Sequence, residues 1–270
     1  MKIQYQQNDI IVFESALYRT TSTIIVFQDS LLIVDPNWLP LEIDFISNFI
    51  KKKYQNHKKY LLFTHSDYDH ILGYNAFPGA TVIASHYFAN NPKKDEIIQQ
   101  ILDFDQEYYI ERDYPISYPK VDIEIVNDGE ILNIDGTDLL FYHAVGHVRD
   151  GLFIIIPDKK CWIAGDYLSN IEIPFIDYDY EKYVSTIHQA SQLFDRNKDV
   201  NILIVGHGDV ATDRLEIESR ISLDTKYLQS LKSPDNFDFT LFIKQYGNNP
   251  NMVKAHEKNL IMVGAKTKNA

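Results

Sequence analysis

Six consecutive residues constrain this chain more than any other feature. The apolar strand Tyr60 to Thr64 runs directly into His65-Ser66-Asp67-Tyr68-Asp69-His70, so four side chains able to bind a cation fall within one short stretch. With nine His and 26 Asp among 270 residues, an H-x-D-x-D-H pattern arises by chance in about three of a thousand such chains. Extended backbone puts alternate residues on one side, so His65, Asp67 and Asp69 share a face, and a turn can bring His70 back to it. Imidazole nitrogens and carboxylate oxygens are the ligands a borderline or hard divalent cation takes. A turn followed by a helix capped by Asp67 or Asp69 would account for only one of the carboxylates.

Three more polar groups stand at the ends of apolar runs: His147 in Ala144-Val145-Gly146-His147, Asp166 in Ile163-Ala164-Gly165-Asp166, and His207 in Val205-Gly206-His207-Gly208. Each follows a glycine, which lets backbone pass close beneath a site. Asp35 ends another apolar run, Leu31 to Val34. The remaining histidines lie elsewhere: His57, His86, His188 and His256 sit in helical or polar contexts, and His143 precedes His147 by four residues as a packing or supporting residue rather than a ligand. Tyr74, Tyr167 and Arg149 follow the motifs closely and read as packing or surface residues within reach of a substrate.

Short β-branched runs alternate with segments of helical spacing, the pattern of an α/β chain. Strands are expected near 10–14, 23–27, 31–34, 60–64, 81–84, 122–126, 130–134, 138–143, 152–156, 160–164 and 201–205. Helices are expected over 40–55, 93–111, 179–195 and 214–231. Asp128-Gly129 and Asp135-Gly136 are turn signals between hairpin strands. Neither a flexible linker nor a repeat interrupts the chain, so residues 1–270 read as one domain. Residues 233–270 form a C-terminal extension whose Phe237, Phe239, Leu241, Phe242, Leu260 and Ile261 can dock on it, with 266–270 frayed.

Charge narrows the partners. A net charge of −12 repels a phosphate backbone, and Lys51, Lys52 and Lys53 form a helix C-terminal turn rather than a basic stripe, so no nucleic acid is expected. No run of 18 apolar residues and no secretory leader are evident, so the expectation is a cytoplasmic protein with no membrane contact. The single cysteine, Cys161, can neither pair internally nor build a thiolate site, and its apolar setting marks it as a buried structural thiol.

Taken in order, Val34-Asp35, the cluster from His65 to His70, Gly146-His147, Gly165-Asp166 and Gly206-His207 resemble the metallo-β-lactamase fold superfamily of metallo-hydrolases over nearly the whole chain. The resemblance implies a four-layer αββα sandwich, two mixed sheets face to face with helices outside and two divalent metal ions along one edge. It implies one metal on His65, Asp67 and His147, the other on Asp69, His70 and His207, and Asp166 bridging. Asp35 would lie behind the metals.

The activity implied is that of a dinuclear hydrolase, in which hydroxide held between the cations attacks an ester, thioester, lactone or small phosphoester and Asp69 orients that nucleophile. The partner is then a small-molecule substrate. Zinc is the metal of the family, whereas Asp67, standing where relatives have the middle histidine of H-x-H-x-D-H, favours iron or manganese. Gly146-His147-Val148-Arg149-Asp150-Gly151 likewise departs from the family's Gly-His-Thr-Pro-Gly. A di-iron redox protein of the flavodiiron kind and a low-turnover ligand sensor are the alternatives. Phe104, Tyr108, Tyr109, Tyr114 and Tyr118 suit either an aromatic lid over the site or the core.

Overall fold

A computed structural model describes residues 1–233 and 237–264. The first half builds one sheet from β1 (Lys2–Gln7), β2 (Ile10–Glu14), β3 (Thr21–Val26), β4 (Ser30–Val34), β5 (Lys58–Leu62), β6 (Thr81–Ser85) and β7 (Ile123–Ile125), hydrogen-bonded in that order. Pairing is antiparallel from β1 to β4 and parallel from β4 to β7. Between these strands run α1 (Pro40–Lys53), α2 (Tyr68–Ile71), α3 (His86–Ala89) and α4 (Lys94–Glu107).

The second sheet comprises β8 (Glu130–Ile134), β9 (Thr137–Ala144), β10 (Gly151–Ile156), β11 (Cys161–Ile163) and β12 (Ile202–Ile204), in the order β12-β11-β10-β9-β8. It too is mixed, with β11 and β12 parallel and the rest antiparallel. Helix α5 (Tyr180–Arg196) connects β11 to β12, and α6 (Arg214–Leu231), α7 (Phe239–Phe242) and α8 (Pro250–Met262) follow β12. Asp179 and Asp213 cap α5 and α6 by accepting the backbone N–H of Lys182 and Glu216 at 2.8 and 2.9 Å.

Three apolar layers explain the continuous hydrophobic runs, because central strands here are covered on both faces. Period-two alternation sends Ile10, Val12, Leu32 and Val34 inward to meet Phe141, Leu152, Ile154 and Ile163 of the facing sheet. The other phase of the same strands, Ile11, Phe13, Leu31 and Ile33, packs under Ile43, Ile46 and Ile50 of α1. On the far side, Phe153 and Trp162 pack under Tyr183, Ile187 and Ala190 of α5. Truncating a fully buried residue such as Ile154 to Ala removes apolar contacts on both sides and costs about 2–5 kcal/mol. Two mixed sheets face to face with helices outside make the αββα sandwich.

The structure differs from the sequence reading in several elements. Strand β1 was hidden because KIQYQQ is polar; it is an edge strand whose side chains are mostly exposed. Helix α4 stops at Glu107 rather than 111, since Tyr109 takes a positive φ of 54° and Arg112 folds back to grip Asp105 through two bonds of 2.7 and 2.8 Å. The extension packs on the second sheet's helix layer through Phe242, Ile243, Tyr246 and Met252. Residues 266–270 lie outside the described residues. Among the described residues no helix is long and apolar enough to cross a membrane.

Candidate metal centre

Strand ends of both sheets deliver the polar groups to one edge. β4 leads directly to Asp35, β5 through Thr64 to His65, β9 to His147, β11 to Asp166 and β12 to His207. Leu152 N–H to Thr64 O at 2.8 Å and Thr21 N–H to Gly206 O at 2.7 Å tie these loops across the sandwich, and Gly206 N–H to Gly165 O at 2.6 Å ties two of them within the second sheet. The helical turn α2, opened by the His70 N–H to Asp67 O bond of 3.0 Å, swings His70 back beside His65. Gly146, at φ 139°, lies so close to α5 that a Cβ would overlap the backbone of Tyr183.

The seven residues converge in two overlapping groups. In the first, His147 Nε2 lies 3.1 Å from Asp67 Oδ2, and His65 Nε2 and His147 Nε2 each lie 3.4 Å from Asp166 Oδ2. In the second, Asp69 Oδ2 lies 3.6 Å from His70 Nε2 and 3.3 Å from His207 Nε2. Asp166 also touches this group, with Oδ1 3.2 Å from His70 Nε2 and Oδ2 3.4 Å from His207 Nε2. Its carboxylate stands between the two.

Every histidine is oriented from behind by an acceptor at Nδ1. Asp35 Oδ2 faces His70 Nδ1 at 3.1 Å, Phe175 O faces His147 Nδ1 at 2.8 Å, and Tyr18 O faces His207 Nδ1 at 3.1 Å. Thr64 Oγ1 donates to Asp35 Oδ2 at 2.6 Å and so can accept from His65 Nδ1 at 2.9 Å. Carbonyl and carboxylate oxygens only accept, so Nδ1 carries the hydrogen and the Nε2 lone pair points into the site. His65 Nε2, His147 Nε2 and Asp166 Oδ1 are buried with no hydrogen-bond partner. Buried polar atoms without partners are costly, and here they all face one point, as a cation site requires. The donor set fits divalent cations.

Electrostatics agree. Burial opposes the charged form of His70, yet Asp166 and Asp69 outweigh it and hold its pKa well above the ordinary value. The same balance raises His147, through Asp166 and Asp67, and His207, through Glu172, Asp166 and Asp69. Burial likewise opposes ionisation of Asp67, but His147 and then His65 pull its carboxyl down to about 2. The carboxylates demand positive charge, which protons or metal ions can supply.

Other residues singled out from sequence fall outside the cluster. His143 Nε2 meets Val126 O at 3.0 Å, and His256 stacks on Phe239 at 3.7 Å. Tyr167 is buried and holds the His147 backbone N–H at 3.0 Å. Arg149 lies over the Tyr87 ring at 4.7 Å, and Tyr74 packs edge-on to Phe63. Cys161 is buried, with its thiol pushed up by burial.

A cavity of about 600 Å³ lies beside residues that support the cluster, although none of the seven cluster residues lines it. Its walls include Tyr18 and Phe175, whose carbonyls hold His207 and His147, together with Glu172 and the α8 residues Asn251, Lys254 and Lys258. None of residues 103–120 lines it. Phe104, Tyr114 and Tyr118 pack against the outer core of the first sheet and Tyr109 is 93% exposed, so the aromatic segment is not the wall of this cavity. Sequence reasoning missed the supports: Tyr18 and Phe175 act through backbone carbonyls, which any residue type carries. It also missed Ser66, whose N–H and hydroxyl donate to Asp150 at 3.2 and 2.6 Å and pin the loop between His65 and Asp67.

Comparison with known proteins agrees with this geometry. The hydroxyacylglutathione hydrolase GloC of Haemophilus influenzae is 28% identical over 180 residues, 62% of this chain and 77% of that protein. A metallo-beta-lactamase from Pontibacter korlensis superposes with a TM-score of 0.61 at 16% identity, covering 84% of this chain and 98% of its own. A stereoselective inverting sec-alkylsulfatase from Pseudomonas sp. superposes at 0.62 and 12% identity, covering 84% of this chain and 41% of its own. The family model that matches residues 17–228 is that of the metallo-beta-lactamase superfamily, and the chain belongs to that family.

Proposed function

We propose that the protein hydrolyses a small ester or thioester with the help of two divalent cations. Family membership supports metal-dependent hydrolysis in general. The observation that carries the reading is that four histidine Nε2 atoms lie 3.2 to 3.4 Å from the Asp166 carboxylate, with His65 Nε2, His147 Nε2 and Asp166 Oδ1 buried and unpartnered. His65, Asp67 and His147 would hold one cation, Asp69, His70 and His207 the other, and Asp166 both. Bound there, such a pair lowers the pKa of water toward neutrality and polarises an acyl oxygen.

The chain's own residues do the rest. Burial opposes charge on Asp69, but His70 and His207 outweigh it and keep the carboxylate ionised, so Oδ2 can hold the nucleophile's proton and fix its direction. Asp35, Phe175, Tyr18 and Thr64 fix the imidazole tautomers, so no reorganisation is needed when the site is used. The cavity walled by Tyr18 and Phe175 is in the range that holds a small organic molecule and mixes apolar walls, Phe175 and Ile171, with polar Lys254 and Glu172. A hydroxyacyl group carried on the thiol of glutathione, which the name of the Haemophilus relative implies, is a thioester, and this supports a thioester over a phosphoester. A net charge of −12 favours a small substrate over RNA.

Protein purified without added metal, stripped with chelator and reloaded, would be tested on chromogenic esters, thioesters, lactones and phosphodiesters. Hydrolysis of esters or thioesters should vanish on stripping and return with a divalent cation. Turnover that persists after complete stripping would overturn the reading. Two bound irons with a reversible redox spectrum and no hydrolysis would replace it with the di-iron alternative, which Asp67 alone favours.

A further inference from the structure

Helix α8 lies beyond the residues that match the family, yet it reaches the metal centre through one buried amide. Asn259 is 1% exposed and makes three side-chain hydrogen bonds, using both of its donors and its oxygen. Its oxygen accepts the N–H of Ile176 at 3.1 Å, and its Nδ2 donates to Pro174 O at 2.6 Å and to Tyr227 Oη at 3.0 Å. The residue between the two clamped backbone groups is Phe175, whose carbonyl faces His147 Nδ1 at 2.8 Å. Asp177 N–H closes the loop by donating to His147 O at 3.0 Å.

Resting on the metal-centre reading above, we infer that Asn259 is a positioning residue for the His147 half of the site, acting through the Pro174–Ile176 segment. Phe175 O must lie in the plane of the His147 ring and near it, and a loop carbonyl is free to rotate unless its neighbours are held. Asn259 holds both, on the C=O side at Pro174 and on the N–H side at Ile176, from a helix anchored in the core by Met252. Loss of the amide strands two buried backbone groups, and the segment can satisfy them only by turning, which carries Phe175 O away from His147. His207 is supported separately, by Tyr18 O, so its half of the site should not feel the change.

Cobalt(II) titration of the metal-free protein, followed by absorption spectroscopy, separates this role from mere packing. Asn259→Ala and Asn259→Asp would be compared with wild type, His147→Ala, His207→Ala and the exposed α8 control Glu257→Gln. Asn259→Asp keeps the size and the bond to Ile176, so it carries the comparison should Asn259→Ala not fold. The affinity of the half lost in His147→Ala should fall about 10–100-fold in both Asn259 variants, with its cobalt spectrum altered. The half lost in His207→Ala should stay within about twofold, kcat should fall while KM changes little, and Glu257→Gln should match wild type. Unchanged cobalt affinities and spectra in the Asn259 variants, whatever their thermal midpoints, would overturn the inference. Wild-type binding in His147→Ala as well would instead overturn the metal-centre reading on which it rests.

Discussion

Gly206 lies directly beneath the carboxylate that joins the two halves of the site: a Cβ on Gly206 would overlap Asp166 Oδ1 and come within 3.0 Å of His70 Cε1. The strand β12 therefore has to approach with bare backbone, and the glycine before His207 is a steric requirement of the site as well as a turn residue. Gly206→Ala should push Asp166 aside and weaken both cation positions together, by about 10–100-fold, while costing about 1–3 kcal/mol of stability in the metal-free protein. Chelator competition and thermal unfolding measure the two effects. Loss confined to one metal equivalent would contradict the shared role of Asp166.

Asp67 offers an anionic oxygen where the H-x-H-x-D-H pattern that the sequence resembles has an imidazole, and His147 and His65 pull its carboxyl down to about 2 against burial. With Asp69 and Asp166 it brings three negative charges to two divalent cations, which should bind them firmly and blunt their acidity. Asp67→His should shift the metal selected during growth toward zinc and lower the kinetic pKa of the reaction. Metal analysis after growth in defined media, with kcat against pH, provides the check. Identical metal ratios and superimposable profiles would show that Asp67 does not tune the site.

On α6, Asp224 predicts a pH dependence of stability. It is 2% exposed and accepts the N–H of Leu168 at 3.2 Å; burial pushes its carboxyl up to about 8 against the pull of that bond and of Arg220. An unfolded aspartate loses its proton near 3.9, so between about pH 4 and 8 the folded state binds the extra proton. Stability from this group is therefore complete below pH 4, falls by up to about 1.4 kcal/mol per pH unit, and levels off above 8. Asp224→Asn mimics the neutral acid, so the gap between variant and wild type in urea unfolding should widen in the variant's favour from pH 5 to 8. A constant gap would mean that Asp224 is already ionised in the folded protein.

Much of the site was legible because its chemistry is concentrated at strand ends, where apolar runs stop abruptly at His65, His147, Asp166 and His207. The strands themselves were legible where both faces are buried, as in Ile10 to Phe13 and Leu152 to Ile156, because the hydrophobic run is unbroken. Strand β1 was not, since an exposed edge needs no apolar residues. Supports contributed by backbone, from Tyr18 and Phe175, leave no trace in residue type. Asn259 is a single amide in a helix whose other faces look like any amphipathic segment, and its partners are 83 and 85 residues away in sequence.

The claim that two cations sit across Asp166 is tested most directly by counting them. Metal-free wild type, His147→Ala and His207→Ala would each be saturated with one cation, freed of excess and analysed for metal per chain, with circular dichroism confirming the fold. Two equivalents are expected in wild type and about one in each variant, the survivor being held by Asp69, His70 and His207 in the first and by His65, Asp67 and His147 in the second. Two equivalents retained in both variants would contradict the claim.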